Sequence, residues 1–217
     1  MIKNHYAYPF MNIKEINRLR KLTAYEDNLY GCGMEYIAGA DEAGRGSLAG
    51  PLVAAAVILD KKCMLIDGLN DSKKIPPKKR QQLFKIITGS CVCWSVAAVG
   101  PGKIDDLNIG RANILALSRA AAKLNIKPDI ILSDFFSFDA KVQVVPLTNG
   151  DMLSLSIAAA SIVAKVIRDN IMVKFDRYYP EYGFSKHKGY ATREHLLSLQ
   201  KYGPSHIHRL SFTGVLN

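Results

Sequence analysis

Two acids stand side by side at Asp41 and Glu42, directly ahead of the glycine-bracketed arginine Gly44-Arg45-Gly46. Two more acids, Asp134 and Asp151, follow the apolar run Ile130-Ile131-Leu132 and the turn-forming pair Asn149-Gly150. Taken singly, each has an ordinary explanation: a solvated loop pair, a strand-end turn residue, a helix N-cap. Gathered together, four carboxylates would repel one another and hold their protons more tightly unless a cation neutralised them. A hard divalent ion with oxygen ligands, Mg²⁺ or Mn²⁺, is the natural neutraliser. Two such ions would clamp the attacking and leaving oxygens of a phosphoryl transfer.

Gathering them is the task of the surrounding elements. Residues 36–40, 52–59 and 92–99 are apolar runs bounded by glycine and proline, and read as buried strands. Successive strand residues face opposite sides, so Asp41 and Glu42 are expected to share a site only if the first strand ends there, with Gly44 and Gly46 supplying the turn. Residues 129–133 make a fourth strand delivering Asp134, and residues 142–147 a fifth. Helical spacing predicts helices over residues 14–29, from Pro76-Pro77 through Ile87, over 104–124, 155–175 and 192–200. Three strands in succession, then alternating helix and strand, imply an α/β sandwich with a mixed sheet, antiparallel first and parallel after. If the first and fourth strands are parallel neighbours, Asp41 and Asp134 leave the sheet at one edge, where ligands of α/β sheets gather. Residues 1–11 read as an irregular leader.

The chain has 217 residues and a formal charge of +10, which favours a polyanionic partner through counterion release, with nucleic acid ahead of a membrane surface. Lysines crowd residues 73–79, and basic, aromatic and glycine residues interleave from Tyr182 to Arg209, a pattern suited to phosphates and sugars. Zinc is disfavoured: Cys32, Cys63, Cys91 and Cys93 form no paired motif, and His187, His195, His206 and His208 fit core or phosphate contacts better. The cysteines read as buried thiols. With neither a signal-peptide pattern nor a membrane-length apolar run, a reducing cytoplasm is the expected location.

The motifs in order resemble the prokaryotic type 2 ribonucleases H, the ribonuclease HII family. They are Ile37-Ala38-Gly39-Ala40-Asp41-Glu42-Ala43-Gly44-Arg45-Gly46, the run Leu48 to Leu59, Asn70-Asp71-Ser72-Lys73-Lys74, Ile104-Asp105 with Asn108-Ile109, Ser156 to Val166, and His187-Lys188-Gly189-Tyr190-Ala191-Thr192. The resemblance implies a ribonuclease H-like fold with a mixed five-stranded sheet over residues 36–180, a helical extension at 1–35 and a substrate-binding segment at 181–217. It implies an endonuclease, expected to be a monomer, that hydrolyses the RNA strand of RNA–DNA hybrids. It further implies nicking 5′ to single ribonucleotides in duplex DNA, leaving 3′-hydroxyl and 5′-phosphate ends. Asp41, Glu42, Asp134 and Asp151 map onto the metal site; Gly44, Arg45 and Gly46 onto the reader of the 2′-hydroxyl; Tyr190 onto a sugar contact. Ser72, Lys73 and Lys188 are assigned to substrate binding. Two positions depart from the family pattern. Ser47 stands where proline is expected, which should loosen the turn, and Phe135 where glycine is usual, which should alter the backbone beside Asp134. Competing readings are a non-catalytic nucleic-acid binder and another two-metal nuclease on this fold.

Overall fold

A computed structural model describes residues 11–62 and 65–216; all but the last residue of the expected leader lies outside them. In chain order the elements are α1 (Ile13–Leu22), α2 (Ala24–Gly31), β1 (Ile37–Ala43), β2 (Leu52–Ile58), α3 (Pro77–Ser90), β3 (Cys93–Val99), α4 (Pro101–Leu107), α5 (Ile109–Ala122), β4 (Ile130–Asp134), β5 (Gln143–Leu147), α6 (Leu155–Asp176), α7 (Phe184–His187) and α8 (Arg193–Tyr202).

The five strands lie in the order β3-β2-β1-β4-β5. Pairing of β1 with β2 and β2 with β3 is antiparallel, while β4 joins β1 and β5 joins β4 in parallel. This is the mixed sheet expected from the sequence. Every residue of β2 is buried, because helices cover both faces: Ala55 and Val57 pack with α6, Ala54 and Ala56 with α5. Small side chains set the spacing. A Cβ on Gly39 would lie 2.0 Å from the Ser156 carbonyl carbon, so α6 rests almost directly on β1. Fully buried Leu155, Ile157 and Ile162 anchor that helix, each stabilising by about 1.5–3 kcal/mol.

Two expected long helices are broken, each at a residue whose side chain competes for the backbone. Thr23 interrupts 14–29, its hydroxyl lying 2.9 Å from the Arg20 carbonyl and 2.5 Å from the Asp27 carboxylate, either of which can take its proton. The phase shift leaves Tyr25 exposed and buries Glu26. Asn108, at φ 68°, interrupts 104–124, and its side chain accepts from the Arg111 N–H at 3.1 Å. Ile104 and Leu117 therefore stay buried while Ile114 turns to solvent. The cysteines also depart from expectation: Cys32, in the turn that ends α2, is exposed, and Cys91 and Cys93 are half-buried. Cys63 lies outside the described residues. Among those residues no helix is long and apolar enough to cross a membrane.

Candidate active site

β1 does not end at the acid pair. It runs to Ala43 against β2, so Asp41 and Glu42 point to opposite faces, contrary to the expected turn. They meet at one site because the sheet opens beside them. Pairing of β1 with β4 stops at Ala40 and Ser133, and one residue further on Asp41 and Asp134 leave the paired region together. Asp41 lies on the α6 face beside Ser161, Glu42 on the α5 face beside Asn113. The open edge lets both faces reach the same space. Asp134 accepts the Gly150 N–H at 2.7 Å, fastening the 3₁₀ turn Gly150–Met152 that carries Asp151. From the other side Glu26, fully buried, accepts the Ser154 hydroxyl at 2.5 Å and the Ser156 N–H at 2.9 Å. The N-terminal helices thus hold the start of α6, just beyond Asp151. Nothing in the sequence pattern marked Glu26.

The acids are under electrostatic stress. Burial, then Glu42 and Asp134, push the Asp41 carboxyl well above its ordinary range. Burial also raises Glu42 to about 7, against the pull of Arg45, whose guanidinium is 3.7 Å away. Asp151 rises to about 6 through burial and the neighbouring Asp71 and Asp134. Asp71 is thus a fifth acid at the site; it was visible in the Asn-Asp-Ser-Lys-Lys motif but read there only as part of a basic loop. Besides Arg45, Lys73 stands among them. Burial works against the Lys73 ammonium, yet Asp41, Asp71, Asp151 and Asp134 outweigh it and raise its pKa. Glu42 Oε2 is buried without a hydrogen-bond partner, as are both polar atoms of Asn113.

Beside the acids, Gly44 to Ser47 turns under tight control. Gly44 has φ 95°, and a Cβ there would sit 1.9 Å from Arg168 Nε. Gly46 does not serve the turn as expected: its φ is not left-handed, and a Cβ would meet nothing within 4 Å. Ser47, expected to loosen the turn, tightens it. Its buried hydroxyl lies 3.0 Å from the Gly44 carbonyl and 3.2 Å from that of Ala49, and accepts from Arg168 Nη2 at 2.7 Å. Arg168 also donates to the carbonyls of Pro51 at 3.0 Å and Ala49 at 3.1 Å. Arg209 donates to those of Gly50 at 3.0 Å and Arg45 at 2.9 Å. Two buried guanidiniums thus clamp the carbonyls of this loop. Among the described residues, the N–H groups of Arg45 and Gly46 have no partner. The sequence had marked Arg209 only as one basic residue of the tail, and Arg168 not at all.

Short bridges join this loop to the tail, Ser47 with Tyr190 and Ala49 with His208. Two cations lie over the Tyr190 ring, Lys165 at 5.2 Å and Arg168 at 5.3 Å from its centroid. Three histidines fix it, all as core groups. His195 Nδ1 donates to the Tyr190 carbonyl at 2.9 Å, and its Nε2 meets His208 Nε2 at 2.9 Å. His187 stacks on His195 at 4.5 Å. Asp105 of α4 anchors the tail further along, accepting the N–H groups of Leu210 and Ser211, both at 3.0 Å.

A groove of about 460 Å³ runs from Glu42 to the tail, lined by Glu42, Gly44, Arg45, Gly46, Lys73 and Tyr190 among others. Ser72 lines it too, and Arg80 secures its loop by donating to the Ser72 and Ile75 carbonyls, both at 2.8 Å. Lys188 lies in an adjoining depression with Lys165 and Arg80, its ammonium turned back onto the Ser185 carbonyl.

Among the described residues no three His, Cys, Asp or Glu side chains form a ready-made metal cage. The donor set nevertheless suits a hard cation: the side chains are carboxylates, three hold their protons abnormally tightly, and Glu42 Oε2 is buried with no partner. It is an open set of oxygen donors.

Comparison with known proteins agrees with this geometry. The ribonuclease HII family profile matches residues 38–215. A ribonuclease HII from Syntrophomonas wolfei is 48% identical over 204 residues, covering 94% of this chain and 80% of that protein. One from Caldicellulosiruptor bescii is 48% identical over 188 residues, covering 86% and 91%. The crystal structure of ribonuclease H2 from Pyrococcus horikoshii OT3 superposes with a TM-score of 0.73 at 26% identity, covering 83% of this chain and 95% of that one. With sequence and fold in accord over nearly its whole length, the chain belongs to the ribonuclease HII family, enzymes that cleave the RNA of RNA–DNA hybrids.

Proposed function

We propose that this enzyme, besides hydrolysing RNA in hybrids, nicks duplex DNA 5′ to a single embedded ribonucleotide, leaving 3′-hydroxyl and 5′-phosphate ends. One observation carries the reading: a loop with clamped carbonyls and free Arg45 and Gly46 N–H groups stands beside a cluster of buried acids in which Glu42 Oε2 has no hydrogen-bond partner. Such a loop can donate to a ribose 2′-hydroxyl, the group that separates RNA from DNA. The open space over Gly46 lets the sugar come close, where any side chain would intrude.

Asp41, Glu42, Asp134 and Asp151 would hold two divalent ions, Mg²⁺ or Mn²⁺, whose chemistry is charge neutralisation and Lewis-acid stabilisation of in-line displacement at phosphorus. The chain's own groups do the rest. Lys73, drawn into the cluster by four acids, is free to meet the scissile phosphate once those acids are neutralised. Ser72 would contact the phosphate beside it, and Tyr190 packs against the sugar at the RNA-to-DNA step. Lys188, in the adjoining depression, would meet the backbone further along the strand. Residues 181–217 thus act as the substrate-binding segment of a monomer. Incubating the protein with a duplex carrying one ribonucleotide, with Mg²⁺ or Mn²⁺, and mapping the products tests this. A nick 5′ to the ribonucleotide is expected, and its absence in both metals would overturn the reading.

A further inference from the structure

Phe135, immediately after Asp134, is 61% exposed and sits at φ 64°, a conformation that bulky side chains avoid. Glycine adopts this conformation without strain; here a phenylalanine is held in it. Core packing does not explain the residue, since its aromatic neighbour is Phe136, met edge-on at 5.0 Å. Phe136 in turn carries the Arg45 guanidinium at 4.5 Å from its ring centroid, and Arg45 walls the groove beside Glu42. A shelf therefore runs from the third acid through two aromatic rings to the arginine of the reader loop. Tyr190 occupies the groove's tail side.

We propose that Phe135 is a substrate-contacting residue that packs against a sugar in the minor groove of the hybrid, beside Asp134 and the Arg45 end of the groove. The inference rests on the groove being the nucleic-acid site. The occupant follows from continuity with that site, the adjacent arginine and the chain's +10 charge. An RNA-containing duplex presents a wide, shallow minor groove that admits a ring edge, and aromatic contact tolerates any sequence. Strain at a functional site is expected where the structure around it fixes the conformation.

Phe135→Gly separates function from packing, because glycine removes the ring and also relieves the strain. Thermal stability should hold or rise, while KM for a long RNA–DNA hybrid rises about five- to tenfold with little change in kcat. Phe135→Trp should keep KM within about twofold, since a ring remains. Phe135→Asn, which tolerates the same backbone, should lose affinity as glycine does, and guards against a glycine-specific loss of order. A Gly variant as stable as the wild type with unchanged KM overturns the proposal, as does an Asn variant with unchanged KM. Long hybrids are used because their cleavage belongs to the family; failure to nick at a single ribonucleotide would overturn the preceding reading without touching this test.

Discussion

The two walls of the groove bury charge in opposite ways. On the acid wall, Asp41 and Asp151 are buried and hold their protons tightly, and Glu42 Oε2 has no partner. On the loop and tail wall, Arg168, Arg209, His195 and His208 are as deeply buried, yet backbone carbonyls and one another occupy nearly all their polar atoms; each arginine leaves one Nη unpaired. An unsatisfied buried charge costs stability, and a fold keeps it where a ligand will satisfy it. A satisfied one fixes geometry. The first wall is thus built for chemistry, the second to hold the reader loop and Tyr190 in place.

Asp41→Asn should break the symmetry between the walls most sharply. Cleavage of hybrid in Mg²⁺ should fall by on the order of a thousandfold, while thermal stability without metal holds or rises, because a neutral isostere replaces a strained acid. A variant that keeps half its activity would show that Asp41 is no ligand. Arg168→Met should do the reverse. It removes the donor to the Pro51 and Ala49 carbonyls and to the Ser47 hydroxyl, at a cost of about 3 kcal/mol in urea unfolding. The surviving fold should bind hybrid scarcely better than plain duplex DNA. Intact discrimination would show that the clamp only stabilises.

This division was half legible in the sequence. Apolar runs and glycine punctuation gave the five strands and their mixed pairing, and type and position made the four acids candidates that the family resemblance joined into one site. What stayed hidden were groups whose meaning lies in non-local partners. Arg168 on the long apolar helix α6 went unmarked, because nothing local shows that the carbonyls of a loop more than a hundred residues earlier await it. Glu26 fitted an amphipathic helix until the break at Thr23 turned it inward. The acid pair was misread for a related reason: Asp41 and Glu42 share a site because β4 stops alongside them, a property of the neighbouring strand.

Acid titration sharpens the contrast on the second wall. Burial, aided by the neighbouring histidines, lowers both His195 and His208 to about 4. Below about 6.5 the unfolded chain takes up protons that the folded state refuses until near 4. Their stabilisation is therefore complete above 6.5 and is lost as pH falls toward 4. Glu42 and Asp151 act with the opposite sign over part of this range, so the comparison is between wild type and His208→Gln. The difference in unfolding midpoint should narrow steadily from pH 7 to pH 4.5, and a difference independent of pH would place the histidines outside the linkage.

The smallest expected effect belongs to the first wall without any mutation. Glu42 and Asp151 titrate near 7 and 6 in the fold, but near 4 in the unfolded chain. Between those limits the folded state holds the extra protons, so their neutral forms favour folding at low pH. That contribution is lost as pH rises through 6 to 7. A divalent ion requires the ionised forms, and so restores at high pH what ionisation removed. Saturating Mg²⁺ should add about 1–3 kcal/mol of stability at pH 8 and little at pH 5.5, the gap closing in Asp41→Asn. Equal stabilisation at both pH values would mean that the ion binds away from these carboxylates, and that their raised affinity for protons reflects burial alone.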